Sequence, residues 1–181
     1  MDAILFQHNQ GLIMKYRRVF NSGTSYFFTV MTSQRQPLFS NDKAVYLFCD
    51  AIRHVMKTHP FIQDAFVIMP DHIHCIWSLP DGDEDYSTRW QLVKNCFMKK
   101  SHLLNIKGQC WQACYCEHSL RDDKDYLCHL EYIHYNPVKH GLSKSPIAWP
   151  YSSFHQYVAF GVYQHNWGSG KLVLPDYIGN E

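Results

Sequence analysis

The segment Val67-Ile68-Met69-Pro70-Asp71-His72-Ile73-His74-Cys75-Ile76-Trp77 reads as a strand, a turn made by Pro70-Asp71, and a second strand. Side chains alternate faces along a strand, so His72 and His74 leave the same face while Ile73 and Cys75 leave the other. Two imidazoles side by side in an otherwise apolar strand are a candidate metal clip. A bare His-x-His pair is equally compatible with half-buried structural histidines, so a third ligand has to come from elsewhere in the chain.

Working outward, Ser25 to Thr32 is β-branched and aromatic and predicts a strand. Ser40, Asn41 or Asp42 is placed to cap a helix whose apolar positions Val45, Phe48, Cys49, Ile52, Val55 and Met56 recur at helical spacing up to His59-Pro60. The hairpin follows, over Phe61–Met69 and His72–Leu79. Ser87 or Thr88 then caps a second helix running to about Ile106, and Trp111 to Ser119 predicts a strand with an irregular start. A third helix starts at Asp122 or Asp123, covers Tyr126 to about Tyr135, and ends at Asn136-Pro137. The order strand, helix, strand, strand, helix, strand predicts an α+β fold. It is a ferredoxin-like βαββαβ antiparallel sheet with helices on one face and the other face free for a ligand, plus a C-terminal helix and an irregular tail. The expected organisation is one domain over 1–145 and a tail over 146–181 that packs on it.

Composition narrows the function classes less than position does. The chain has 181 residues, 46% hydrophobic and 18% charged, with 15% aromatics and a formal net charge of +1. Bulk charge therefore does not announce a nucleic-acid partner. Between Tyr86 and Cys116 there is no acid, but there are Arg89, Lys94, Lys99, Lys100 and Lys107, and Lys15, Arg17 and Arg18 occupy a second acid-free stretch. That pattern suits a local basic face or a solvated helix surface. The seven cysteines lack paired Cys-x-x-Cys spacing and read as reduced thiols of a cytoplasmic protein. No apolar run approaches the ~20 residues that span a membrane, and no signal peptide is evident.

The third helix carries the other half of a site. Tyr132 and Asn136 are one turn apart on one face. Beside two sheet histidines they would add a nucleophile and an amide oxygen; alternatively Tyr132 packs at the sheet edge and Asn136 ends the helix.

Taken together, His72-Ile73-His74 and Tyr132-Ile133-His134-Tyr135-Asn136-Pro137-Val138-Lys139-His140-Gly141-Leu142 resemble the HUH single-tyrosine transposase superfamily, in its REP-associated branch. Further pieces in the same order are Tyr26 to Val30, Ser87-x-Arg89-Trp90, Trp111 through His118, Arg121-Asp122, Asp125-Tyr126 and Trp149 to His155. The resemblance implies that His72, His74 and Asn136 hold a divalent cation, Mg²⁺ or Mn²⁺, and that Tyr132 attacks a phosphodiester of single-stranded DNA. A 5′-phosphotyrosine and a free 3′-OH would result. Many insertion-sequence relatives have Gln where this chain has Asn136. The implied substrate is REP-type palindromic hairpin DNA in the bacterial cytoplasm, handled by a monomer whose tail completes the DNA site. The expected DNA contacts are Arg17, Arg18, Arg89, Lys94, Lys99 and Lys100 on phosphates, and Trp149, Tyr151, Phe154 and Trp167 stacking on bases. A non-catalytic protein that holds hairpins without cutting, or a metal-dependent hydrolase using the same histidines, is the alternative.

Overall fold

A computed structural model describes residues 23–106 and 108–170. Strands β1 (Ser25–Met31), β2 (Ile62–Ile68), β3 (His72–Ser78) and β4 (Cys116–Ser119) form one antiparallel sheet in the order β2-β3-β1-β4. The helices are α1 (Asp42–Thr58), α2 (Tyr86–Lys100), α3 (Asp123–Lys139) and α4 (Phe154–Ala159). The expected ferredoxin-like order is therefore present. Of the expected strand 111–119 only the last four residues are regular; ahead of them Trp111 makes a single bridge to Thr32.

Local chemistry sets the helix starts. The Asn41 side chain accepts from the Lys43 N–H at α1, Asp85 accepts from the Thr88 N–H at α2, and Asp122 accepts from the Asp125 N–H at α3. Each satisfies one N–H that a helix leaves unpaired at its start. The cap of α2 is thus Asp85 rather than Ser87 or Thr88. That helix ends at Lys100, with a 3₁₀ turn over Ser101–Leu104.

The central strands β1 and β3 are buried on both sides, whereas β4 is mostly exposed. On one face Tyr26, Phe28, Val30, Ile73, Cys75 and Trp77 pack against α1 and α2. The Trp77 and Trp90 rings stack there at 4.1 Å and 14°, a contact that fastens α2 to β3. On the other face Phe27, Ala65, Val67 and Ile76 pack against Leu127, Leu130, Tyr132 and Ile133 of α3. This second face, expected to be free for a ligand, is instead covered. Helix α3 buries eleven of its residues, polar Asp125, His129, His134 and Asn136 among them.

The tail is more ordered than its periodicity suggests. Ile68 N–H donates to the Tyr151 carbonyl at 2.9 Å and Ser153 N–H donates to the Phe66 carbonyl at 2.9 Å, so residues 151–153 close the outer edge of β2. Beyond them Phe154, Tyr157, Val162 and Tyr163 join the α3 core. The Tyr157 hydroxyl donates to the Asp64 carbonyl at 3.0 Å, and His134 Nε2 lies 2.9 Å from Ser153 Oγ. Burial pushes His134 down to about 3, so this imidazole is a neutral hydrogen-bonding strut.

Phe154, expected to stack on DNA, is completely buried against Tyr163 and Trp167. Replacing Phe154 with Ala is therefore expected to lower unfolding free energy by about 3–5 kcal/mol in urea titrations. A variant of unchanged stability would contradict the tail's place in the core.

Candidate active site

Strand β3 delivers the two histidines to the face covered by α3. Pairing with β1 sets His74 opposite Thr29 and His72 opposite Met31. The imidazole centroids of His72 and His74 are 4.7 Å apart. Both are buried, at 5% and 0% exposure. Burial holds His72 below the usual histidine range, with Asp71 opposing the shift, and it holds His74 well below that range. Both rings are therefore neutral near pH 7 and can offer a nitrogen lone pair.

Each ring has one nitrogen engaged. His72 Nδ1 is 2.7 Å from Asp71 Oδ1; an ionised carboxylate only accepts, so Nδ1 donates and Nε2 keeps the lone pair. His74 Nδ1 is 2.9 Å from Thr29 Oγ1. Asp71 is itself fixed: its backbone carbonyl accepts from Thr32 N–H and Oγ1 at 2.9 and 2.8 Å, and its carboxylate is 3.5 Å from Arg35. An oxygen partner on Nδ1 is how ligating histidines are commonly oriented.

Helix α3 brings the rest. The Tyr132 ring is 5.1 Å from His74 and 6.0 Å from Phe27, and it is 2% exposed. Two turns further on, the His140 ring is 5.7 Å from His72. Asn136 lies one turn from each of these contacts, so it occupies the stretch of α3 that faces the histidine pair. Its amide is fully buried, and neither Oδ1 nor Nδ2 has a hydrogen-bond partner. An unsatisfied buried amide costs about 1–3 kcal/mol, so this side chain has unused capacity to bind a partner.

The end of α3 departs from the sequence reading. Pro137 does not stop the helix; it continues one more turn to Lys139. The stop is made by Gly141, in a left-handed conformation at φ +68. Gly141 N–H donates to the Val138 carbonyl and Leu142 N–H to the Pro137 carbonyl, a Schellman closure. The extra turn carries Lys139 Nζ to 4.6 Å from the Tyr132 ring centroid.

Thr29, Lys139 and His140 stand beside His74, Tyr132 and His72 without having been singled out from the sequence, and Asp71 was assigned to the turn alone. The one available signal was a polar Thr29 inside an apolar strand, which says nothing without the register that pairs it with His74.

The expected DNA contacts are not gathered here. Arg17 and Arg18 lie outside the described residues. Arg89 is buried at 4% exposure; its guanidinium donates to both Asp83 carboxylate oxygens and to the Asp85 and Pro60 carbonyls, so it clamps the 80–85 loop to α2. Lys94 reaches the Gln112 carbonyl at 3.3 Å, and Lys100 pairs with Asp50. Lys99 is exposed. All four belong to α2, across the sheet from the histidines. Trp149 donates to the Ile68 carbonyl, Tyr151 donates to Asp42, and Trp167 rests on Tyr163.

One further group among the described residues could share an ion: the ligand atoms of His118, Asp125 and His129 lie within 4.8 Å of one another. Here the Asp125 carboxylate already accepts from His118 Nε2 at 2.9 Å and from the Arg121 backbone N–H and side-chain Nε at 3.1 Å each, tying β4 to the start of α3. Burial alone would raise this carboxyl, but those donors outweigh it and bring it down to about 2. The depressed value means that the stability it confers is complete above the unfolded pKa near 4 and is lost as pH falls towards 2. The expected size is about 2 kcal/mol. The stability gap between wild type and Asp125→Asn should accordingly shrink between pH 5 and pH 2 in acid-denaturation series; a gap independent of pH would refute the pin.

No protein-family model matches the chain. It is 42% identical over 154 residues to the "REP-associated tyrosine transposase" of Escherichia coli K12, covering 84% of this chain and 90% of that protein. It is 40% identical over 164 residues to the "Putative REP-associated tyrosine transposase" of Haemophilus influenzae, covering 84% and 92%. A solved REP-associated tyrosine transposase, described as bound to a REP hairpin, superposes with a TM-score of 0.72 at 38% identity, over 84% of this chain and 94% of that one. With the histidine pair, the tyrosine and the amide meeting on one sheet face, the chain belongs to the REP-associated tyrosine transposase family.

Proposed function

We propose that the protein nicks and rejoins single-stranded DNA at REP-type hairpins through a 5′-phosphotyrosine on Tyr132, using a divalent metal ion at His72, His74 and Asn136. The observation that carries this reading is the meeting of Tyr132 with His74 at 5.1 Å beside the buried, hydrogen-bond-free amide of Asn136. The hairpin comes from the solved relative, which is bound to one.

The donor set fits the ion. Two neutral imidazoles with Nδ1 engaged and one amide oxygen make a three-ligand site that leaves positions for phosphate oxygens. Mg²⁺ or Mn²⁺ bound there would polarise the scissile phosphate as a Lewis acid. The chain's own residues do the rest. Asp71 and Thr29 orient the histidines. Phe27 and His74 pack the Tyr132 ring so that its hydroxyl has few directions open to it. Attack forms the Tyr132 Oη–phosphorus bond and breaks the P–O3′ bond. The phenol proton goes to solvent, and the leaving 3′ oxygen takes a proton from solvent to become a 3′-OH. The phosphotyrosine keeps the bond energy, so another strand's 3′-OH can reverse the step and join DNA. Helix α3 packs on its own chain's sheet, which suits action as a monomer. Among the described residues no helix is long and apolar enough to cross a membrane.

Incubation with a hairpin carrying a single-stranded extension and Mn²⁺ should give a denaturation-resistant protein–DNA adduct. Tyr132→Phe should give none; hairpin binding without an adduct in any metal would instead support a non-catalytic binder. Independently of turnover, Asp71→Asn and Thr29→Val are each expected to weaken Mn²⁺ binding about 10–100-fold, read by calorimetry or by the Mn²⁺ spin signal. Unchanged affinity in both would remove the ion from this pair.

A further inference from the structure

Helix α3 ends in a way that the proposed reaction has not yet used. Lys139 is exposed, and its ammonium sits 4.6 Å from the centroid of the buried Tyr132 ring. It makes no ion pair with a carboxylate among the described residues. The position depends on the helical turn that runs through Pro137 and is closed by Gly141. Without that turn the side chain would start elsewhere.

The surroundings select for an anion. Arg35 lies on the same side, 3.5 Å from Asp71. Both Lys139 and Arg35 act electrostatically on His74, and His140 stands beside His72. The acid at this rim is Asp71, and it is already shared between His72 and Arg35. Tyr132 is 2% exposed, and the exposed Lys139 lies against its ring.

We propose that Lys139 is a catalytic residue of this site: its ammonium leaves the face of the Tyr132 ring to bind a non-bridging oxygen of the attacked phosphate. This inference rests on the function proposed above. During attack, negative charge grows on the phosphoryl oxygens as the Oη–P bond forms and the P–O3′ bond breaks. A fixed cation aimed at that charge lowers the barrier more than it strengthens ground-state binding. The cation–π contact keeps the ammonium in place before DNA arrives. The same geometry also admits a purely structural role, in which Lys139 covers the ring and complements the C-terminal end of the helix dipole. The two roles differ in what they move: a structural lysine affects stability, a catalytic one affects the rate at saturating DNA.

The test is single-turnover adduct formation at saturating hairpin DNA and Mn²⁺, for wild type, Lys139→Met and Lys139→Arg, with thermal unfolding and hairpin affinity measured on each. Methionine keeps the stem and removes the charge; arginine keeps the charge. The expected result is an adduct rate reduced about 100-fold or more in Lys139→Met. Melting temperature should be unchanged, hairpin affinity nearly so, and Lys139→Arg should recover most of the rate. A Lys139→Met rate equal to wild type overturns the proposal while leaving Tyr132 in place, as does a loss of rate that follows a loss of stability. Absence of any wild-type adduct overturns both this proposal and the function on which it rests.

Discussion

Strand β3 has no solvent face, and most of the molecule follows from that. Its odd-numbered residues Ile73, Cys75 and Trp77 pack under α1 and α2, while His72, His74 and Ile76 meet the α3 side. Apolar residues satisfy both demands easily; two imidazoles do not, because each buried ring nitrogen needs a partner. Thr29 from the neighbouring strand and Asp71 from the turn supply two of them. Those partners hold each ring by its Nδ1 and leave Nε2 as the nitrogen that can meet a ligand. Burial in this site is thus what makes the histidines neutral, oriented and close to a tyrosine.

How far the sequence could be read depends on the range of each signal. Strand alternation acts over two residues, and it correctly placed His72 and His74 on one face. Helix spacing acts over four, and it correctly joined Tyr132 to Asn136. The meeting of the two halves needs α3 to lie across β3, which no local pattern encodes; the family resemblance supplied that expectation. Thr29 became visible only through the β1–β3 register, a contact between residues 45 apart. Pro137 misled for a physical reason. Proline disfavours helix at the preceding residue, removes one donor and crowds the carbonyl four residues back, and here the packing of its neighbours outweighs that cost. With Asn136, Tyr135 and Ile133 all buried, the core holds the last turn in place until Gly141 releases it.

Charge was the least reliable guide. An acid-free stretch from Tyr86 to Cys116 suggested a basic face, yet Arg89 is spent on Asp83 and two carbonyls, and Lys100 on Asp50. Linear charge counts miss these partners because they come from other segments. The tail was expected to pack on the domain and to offer Phe154 to DNA; Phe154 and Tyr157 instead join the core shared by α3 and β2. A segment without periodicity can still be core when it closes an edge rather than covering a face.

The burial that shapes the site also bears on which reaction it favours. A phosphotyrosine is rejoined by a 3′-OH or lost to water, and the second course needs a base to activate the water. Asp71, beside the histidines, is committed to His72 and Arg35. Glu131, next to Tyr132 in sequence, is pushed up to about 7 by burial and shares its surroundings with Tyr163 on the tail side of α3. A carboxyl at about 7 is basic enough to take a proton, so Glu131 is set apart by its place beside Tyr163 and not by its pKa. On the proposed reading, His72 and His74 would give their lone pairs to the metal ion and so could not act as bases, while His140 beside His72 is an imidazole that could still take a proton from water. On the same proposed reading, what favours rejoining is the phosphotyrosine itself, which keeps the DNA bond energy until the 3′-OH of a second strand arrives.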